Sequence, residues 1–408
     1  MDYISRHLER KFINMSNFFK AVLVTGARQA GKTTMLRHLA AEQSRTYVSL
    51  DNLMARNLAI SDPVLFFETY KPPVIIDEVQ YAPTLFSQIK IMCDESEETG
   101  LFWLTGSQQY EMMKNVRETL AGRIGILELY SLSKREKDGI VFQDDLDFSL
   151  SALQSREKIA RKSDVKGLFE HIWWGGMPQV VHADAEQRHE YYNSYVNTYL
   201  MRDATELGGV TDTLRFSKFI TACAALVARQ VNYRTLAEAA EIAEPTAKEW
   251  LRLLLGMGIV YLLRPYANNA LKRLTKSPKL YFCDSGLCAH ISMWPTPETL
   301  MNGAASGQFF ENHVVAEMLK SNAYAGTKAH MSYYRDANAK EIDLLVEKNG
   351  TIHPLEIKKS ANPDSREVRK FSVLEKANAR RGCGGIVCMC QEVIPIDSQN
   401  CYIPCNLI

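Results

Sequence analysis

No apolar run in these 408 residues approaches the length of a bilayer span, and the opening Met1-Asp-Tyr-Ile-Ser-Arg lacks the apolar core of a secretion signal. The expectation is a cytoplasmic protein without a membrane partner. An excess of charge is also missing: Lys and Arg number 48 and Asp and Glu 47, a net of +1. That balance excludes a bulk polyanion binder and confines any nucleic-acid contact to a local patch. The nine cysteines are odd in number and contain no C-x-x-C pair, so they read as reduced thiols rather than a disulfide frame or a zinc site. Cys388-Met-Cys390 lies in a strand-like run, and it reads with Cys383, Cys401 and Cys405 as small apolar packing. Internal repeats and low-complexity tracts are absent. What remains is an ordinary globular composition, 46% hydrophobic, over a length that suggests about two to four domains.

The sharpest feature is Ala21-Val-Leu-Val-Thr, an apolar run that enters Gly26-Ala27-Arg28-Gln29-Ala30-Gly31-Lys32-Thr33-Thr34, followed by an amphipathic pattern at Met35, Leu36 and Leu39. Strand, G-x-x-x-x-G-K-[ST] loop and helix in that order make a P-loop. The glycines let backbone N–H groups turn onto phosphate oxygens, and the helix N-terminus adds partial positive charge. Residues 26–34 are therefore expected to bind ATP, with Lys32 on the outer phosphates and Thr33 on Mg²⁺. Pro72-Pro-Val-Ile-Ile-Asp77-Glu78 is a buried-strand pattern ending in two acids. It assigns Asp77 to Mg²⁺ and Glu78 to the general base that activates water.

Further strands are expected at Tyr47–Asp51, Val74–Ile76, Leu101–Thr105 and Ile124–Leu132, with helices between them, which implies a parallel sheet covered on both faces. Thr105-Gly-Ser107 ends one strand at the edge where α/β sheets bind ligands. Ser107 fits two roles there, a γ-phosphate sensor or a turn hydroxyl bonded to its own backbone. Arg123, before the next strand, fits an arginine finger reaching a neighbouring copy in a homo-oligomer, or a solvated surface arginine.

The P-loop, Asp77-Glu78, Thr105-Gly-Ser107 and Leu120-Ala-Gly-Arg123 resemble AAA-type ATPases related to the archaeal ATPase group. The resemblance continues through Trp174-Gly-Gly-Met-Pro178, Tyr199-Leu-Met-Arg-Asp203, Pro278-Lys-Leu-Tyr-Phe-Cys-Asp284, Glu341-Ile-Asp343 and Glu356-Ile-Lys358. It implies an ATPase module joined to a C-terminal domain of unknown function.

Downstream of a charged, turn-rich boundary, residues 166–210 read as helical. Thr235-Leu-Ala-Glu238 reads as a capping box, and a second helix begins near Pro245 and buries Ala247, Trp250, Leu251, Leu254 and Leu255. Thr246, Lys248 and Arg252 share its outer face. Helix, tight turn and helix, followed by Ile259-Val-Tyr-Leu-Leu and Lys279-Leu-Tyr-Phe, resemble a winged helix. Between Glu249 and Asp284 there is no acid, while Arg252, Arg264, Lys272, Arg273, Lys276 and Lys279 are all basic. That bias points to DNA phosphates at Thr246, Lys248, Arg252, Lys272, Arg273 and Lys276, or to a module that binds protein instead.

In the last segment, Lys340–Glu347 and Thr351–Lys358 read as strands joined across Asn349-Gly350. A two-residue turn sets Asp343 opposite Glu356 and Glu341 opposite Lys358, all on one face. Facing carboxylates repel unless a cation or shared proton holds them. Glu311, on the apolar side of its helix with Val315 and Met318, completes a set that resembles the PD-(D/E)xK restriction-endonuclease-like site. The resemblance implies a second Mg²⁺ on Glu311, Asp343 and Glu356 with Lys358 beside it. Ile342 stands where that motif has proline.

The expected architecture is α/β. A P-loop AAA-type parallel-sheet core (1–132) is followed by a helical lid (133–210), a winged helix (211–292) and a restriction-endonuclease-like domain (293–408). The expected function is Mg-ATP hydrolysis acting on DNA. The alternatives are an ATP-regulated endonuclease and a nucleotide-gated scaffold that binds protein.

Overall fold

The computed structural model describes residues 3–41, 43–106, 116, 119–141, 147–266, 277–326, 328–336, 338, 340–376 and 379–408. They fall into two compact units, residues 1–132 with 256–259, and residues 133–255 with 260–408. No described helix is long and apolar enough to cross a membrane.

In the first unit, Ala21–Thr25 (β1), Thr46–Ser49 (β2), Val74–Asp77 (β3), Phe102–Thr105 (β4) and Ile124–Glu128 (β5) form a sheet in the order β2-β3-β4-β1-β5. Every pairing is parallel. β1, β3 and β4 are buried at every position, which is why they read as unbroken apolar runs rather than alternations. Helices Leu8–Ser16 (α1), Lys32–Leu39 (α2), Leu53–Ser61 (α3), Pro63–Thr69 (α4) and Leu85–Glu95 (α5) accompany the sheet. β2 stops at Ser49, short of the expected Asp51, because the Asn52 side chain accepts hydrogen bonds from Met54 N and Ala55 N and starts α3. α5 buries Leu85, Phe86, Ile89 and Cys93 at helical spacing against Leu23, Ile76 and Leu104. Each such fully buried Phe or Ile contributes about 1.5–3 kcal/mol.

The second unit opens with helices, among them Val165–Trp174 (α6). From Ala185 to Gly208 the chain is helical throughout, with a π-helical stretch at Tyr195–Leu200. Thr213–Ala225 (α7), Tyr233–Ala240 (α8) and Glu244–Gly256 (α9) precede an antiparallel ribbon of Val260–Leu263 (β6) and Lys279–Phe282 (β7). α9 buries Ala247, Trp250, Leu251 and Leu254 as expected, whereas Leu255, expected on the same face, is half-buried. The expected capping box at Thr235–Glu238 does not form. α8 starts three residues earlier, the Asn232 side chain accepts from Thr235 N at 3.2 Å, and Glu238 pairs with Arg234 at 2.9 Å.

Ser285–Ile291 (α10) and Ser306–Tyr324 (α11) lead to a mixed sheet. Its strands are His330–Arg335 (β8), Glu341–Lys348 (β9), Thr351–Lys358 (β10), Arg380–Arg381 (β11), Gly384–Cys388 (β12), Ile394–Pro395 (β13) and Asn400–Pro404 (β14). The order is β13-β14-β12-β10-β9-β8, with β11 also on β10. β8, β9 and β10 are antiparallel, whereas β12 runs parallel to both β10 and β14. Asn349 and Gly350 have φ of 51° and 72°, the left-handed pair of a two-residue hairpin turn. Pairing runs from Thr351–Lys348 to Leu355–Leu344, and one more step in that register sets Glu356 opposite Asp343.

Candidate nucleotide site and a second acid cluster

The loop between β1 and α2 is shaped by two glycines. Gly26 has φ of 140°, and a Cβ there would lie 2.0 Å from the Leu129 carbonyl oxygen, so a larger residue would push β5's continuation away. Gly31 has φ of 96° and caps α2. Lys32, the first residue of α2, is 5% exposed, and its Nζ donates to the carbonyls of Gly26 at 3.0 Å and Ala27 at 2.9 Å. The ammonium is thus aimed into the loop.

Parallel pairing then assembles the other side. Thr33 Oγ1 donates to Asp77 Oδ1 at 2.5 Å. Thr105 Oγ1, fully buried at the end of β4, donates to the same oxygen and accepts from Glu78 N at 3.2 Å. Tyr47 Oη, from β2, donates to Asp77 Oδ2 at 3.3 Å. Burial, and then Asp77, push the Tyr47 phenol upward. Burial, and then Glu78 and Asp77, push the Asp51 carboxyl upward. Glu78 has φ of 58°, and its carboxylate accepts from Gln80. Arg28 reaches the Tyr81 hydroxyl at 3.4 Å.

Lys32, Thr33, Asp77 and Glu78 therefore lie together, as the sequence led us to expect. Ser107 lies outside the described residues. Thr105, two residues before it in the same triplet, was not singled out from sequence although it touches both acids. Arg123 is not brought to the loop. It precedes β5, whose first residue pairs with Ala21 at the start of β1, so it sits at the edge of the sheet opposite the P-loop. Its guanidinium is paired with Asp94 at 2.5 and 3.1 Å.

In the second unit, Lys248 and Arg252 are exposed on α9 and Thr246 is half-buried. Lys248 Nζ stands 5.4 Å from the Tyr233 ring centroid, beside an open cavity of about 480 Å³ that Asn232, Arg234 and Ser277 also line. Lys272, Arg273 and Lys276 lie outside the described residues. Lys279 departs from the surface run expected of it, being 4% exposed.

The acids of the hairpin are interleaved with lysines. Lys279 Nζ lies 2.9 Å from Glu311, 2.6 Å from Glu341 and 3.6 Å from Asp343. Lys358 Nζ lies 2.6 Å from Glu356 and 3.8 Å from Asp343, and Lys370 lies 2.7 Å from Glu356 and 2.6 Å from Glu367. Burial, and then repulsion from Asp343, push both the Glu311 and Glu356 carboxyls up to about 7. Glu311, Asp343 and Glu356 do not form one close set of ligand atoms. Lysines stand between them, and among the described residues the cluster whose ligand atoms all lie within 4.8 Å is instead His171, His313 and Glu317. Within that cluster Glu317 accepts from Lys320 at 2.9 Å and Lys134 N at 2.8 Å.

The Trp174-Gly-Gly and Asp284 motifs meet in a structural latch. Asp284 accepts from Gly176 N at 2.8 Å, Tyr192 Oη at 3.0 Å and Leu287 N at 2.9 Å. Gly175 has φ of 77°, and a Cβ there would stand 2.5 Å from both Asp284 Oδ1 and Tyr192 Oη.

Residues 18–137 match the model of a family described as an AAA domain. Residues 165–298 and 306–408 match two families described as domains of unknown function, DUF8612 and DUF4143. An uncharacterized protein of Mycobacterium tuberculosis is 27% identical over 358 residues, covering 86% of this chain and 73% of that protein. Its counterpart in Mycobacterium bovis gives the same values. Among solved structures, the chain resembles a Walker-type ATPase of Pyrococcus abyssi at 14% identity, covering 72% of this chain and 97% of that one, with a TM-score of 0.46. It also resembles the Thermotoga maritima RuvB Holliday junction branch migration motor at 18% identity, covering 66% and 91%, with a TM-score of 0.30.

Proposed function

We propose that this chain, an AAA-type P-loop ATPase through residues 18–137, hydrolyses ATP with Mg²⁺ at Lys32, Thr33, Asp77 and Glu78 and acts on DNA. The observation that carries the ATPase reading is the 2.5 Å contact between Thr33 Oγ1 and Asp77 Oδ1 beside the inward-aimed Lys32. A hydroxyl and a carboxylate oxygen suit Mg²⁺, and Thr33 and Asp77 would hold it, where it neutralises charge on the outer phosphates. Lys32 leaves the loop carbonyls for the phosphate oxygens. Glu78 accepts a proton from the attacking water once Gln80 releases its carboxylate. Ser107 is proposed as the γ-phosphate sensor and Arg123 as a charge supplied to a neighbouring copy, which requires it to leave Asp94.

DNA is the proposed partner of the segment from α8 to β7, read as a winged helix. Exposed Lys248 and Arg252 support this, and Lys272, Arg273 and Lys276 add positive charge to the same segment of sequence. The test is ATP turnover with and without single-stranded, duplex and branched DNA. Lys32→Ala should lose turnover at least a hundredfold. DNA that neither stimulates turnover nor binds would reject the DNA part and favour a protein partner.

A second reading, a metal-dependent endonuclease in residues 293–408, is supported by Glu356 Oε2. This oxygen is buried and has no hydrogen-bond partner among the described residues, on a residue 1% exposed. Asp343 and Glu356 would hold the metal there. Cleavage of the same DNAs that disappears in Asp343→Ala would establish it.

A further inference from the structure

Lys279 belongs by sequence to a basic run, yet β7 carries it into the interior. Its Nζ meets Glu311 from α11 and Glu341 and Asp343 from β9. Tyr281, two residues along and on the same face of β7, donates its hydroxyl to Glu311 Oε1 at 2.7 Å. Burial acts to neutralise such an ammonium, but Glu311, Asp343 and Glu341 outweigh it and the net shift is upward, toward the charged form. A lysine offers three N–H donors, and here three carboxylates surround it.

We propose that Lys279 is the resident cation of this acid site, filling the place among Glu311, Glu341 and Asp343 that a divalent ion would otherwise take and keeping that half of the site closed to metal. The proposal rests on the endonuclease-like reading only in treating Glu311 and Asp343 as acids able to bind metal. The opposite half differs. Lys358 and Lys370 both contact Glu356 Oε1, which leaves Oε2 without a partner among the described residues. The five carboxylates of Glu311, Glu341, Asp343, Glu356 and Glu367 face Lys279, Lys358, Lys370 and Arg335. A divalent ion placed among the oxygens that hold Lys279 would stand against its ammonium and be repelled. β7 pairs with β6 in a two-stranded ribbon, so displacement of that ribbon withdraws the cation.

The experiment is Mn²⁺ titration of the full nucleotide-free chain, with free Mn²⁺ followed by electron paramagnetic resonance. Lys279→Met should bind Mn²⁺ at least tenfold more tightly than wild type, or bind one more ion per chain. Lys279→Arg, which keeps the charge, should match wild type, and adding Asp343→Asn to Lys279→Met should remove the gain. Circular dichroism and thermal melting check folding, and Lys279→Gln carries the same expectation if the methionine variant does not fold. Equal affinity and stoichiometry in wild type and the neutral variants overturn the proposal, as does a gain that survives Asp343→Asn. A gain in Mn²⁺ binding without DNA cleavage counts against the endonuclease reading and leaves Lys279 as the resident cation. Cleavage by wild type without a gain in the neutral variants does the reverse.

Discussion

Replacing Thr105 with valine removes one hydroxyl and almost no volume from a fully buried position. The lost group donates to Asp77 Oδ1 and accepts from Glu78 N at 3.2 Å. A hydrogen bond to a charged acceptor contributes about 1.5–3 kcal/mol. Asp77 keeps Thr33 on the same oxygen, which favours the lower part of that range. If about 2 kcal/mol of positioning is lost from the two acids, turnover falls roughly thirtyfold, since each 1.36 kcal/mol is a factor of ten. Nucleotide affinity should change by less than about threefold, because the phosphate-facing groups, Lys32 and the loop N–H donors, are untouched. The assay pairs steady-state ATP turnover with equilibrium binding of a fluorescent nucleotide. Thr105→Ser should recover most of the rate by restoring the hydroxyl. Turnover within twofold of wild type would refute the positioning role. A parallel loss of affinity and rate, with a lowered melting temperature, would show that Thr105 only supports the fold.

Gly175→Ala should destabilise the second unit by more than about 3 kcal/mol, because its Cβ would meet Asp284 and Tyr192 at 2.5 Å with φ fixed at 77°. Thermal melting measures this, and a melting temperature within two degrees of wild type would contradict it. Burial holds the His313 imidazole down to about 4, below the ordinary 6.5. The unfolded chain therefore takes up this proton first, and stability present above about 6.5 is lost as pH falls toward 4, by on the order of 1 kcal/mol per pH unit. Urea melts of wild type and His313→Gln between pH 7 and 5 should show a shallower slope in the variant. If α9 faces DNA, Lys248→Ala with Arg252→Ala should weaken binding similarly for all sequences and reduce the log–log salt slope by about 2. An unchanged slope would remove both residues from the phosphate contacts.

The P-loop was legible in the sequence because its form constrains backbone as well as side chains. Gly26 and Gly31 occupy left-handed conformations, and few alternative residues fit them. The strand that delivers Asp77 and Glu78 was legible because its continuous apolar run is short, β-branched and bounded by Pro72-Pro73, which separates it from a buried helix. Boundaries were less legible. Asn232, Thr235 and Glu238 all carry capping chemistry within one turn of chain, and which of them caps depends on where the preceding residues enter the helix. Thr105 and Ser107 were equally good hydroxyl candidates by spacing. Only the pairing of β4 between β1 and β3 puts the Thr105 hydroxyl on Asp77. Arg123 was ambiguous because its partner, Asp94, lies 29 residues away.

The acid cluster shows why local arithmetic can succeed and still leave the chemistry open. Asn349-Gly350 implied a hairpin register, and the register implied that Asp343 and Glu356 face each other across the strands. Facing carboxylates require a cation or a shared proton, and the resemblance to a restriction-endonuclease-like site gave that role to Mg²⁺. The chain contains other cations that can meet the same demand. Lys358 was visible because it lies on the same strand face as Glu356. Lys370 comes from a short helical turn after the hairpin, and Lys279 from the second strand of a different sheet. Nothing in the local pattern separates Lys279 from the other basic residues of its run, because its difference lies wholly in tertiary placement. Electrostatic need is therefore readable from a strand pair, whereas the identity of the ion that meets it depends on which distant segment folds against that face. That dependence is the reason the Lys279→Met titration discriminates where further inspection of the motif does not.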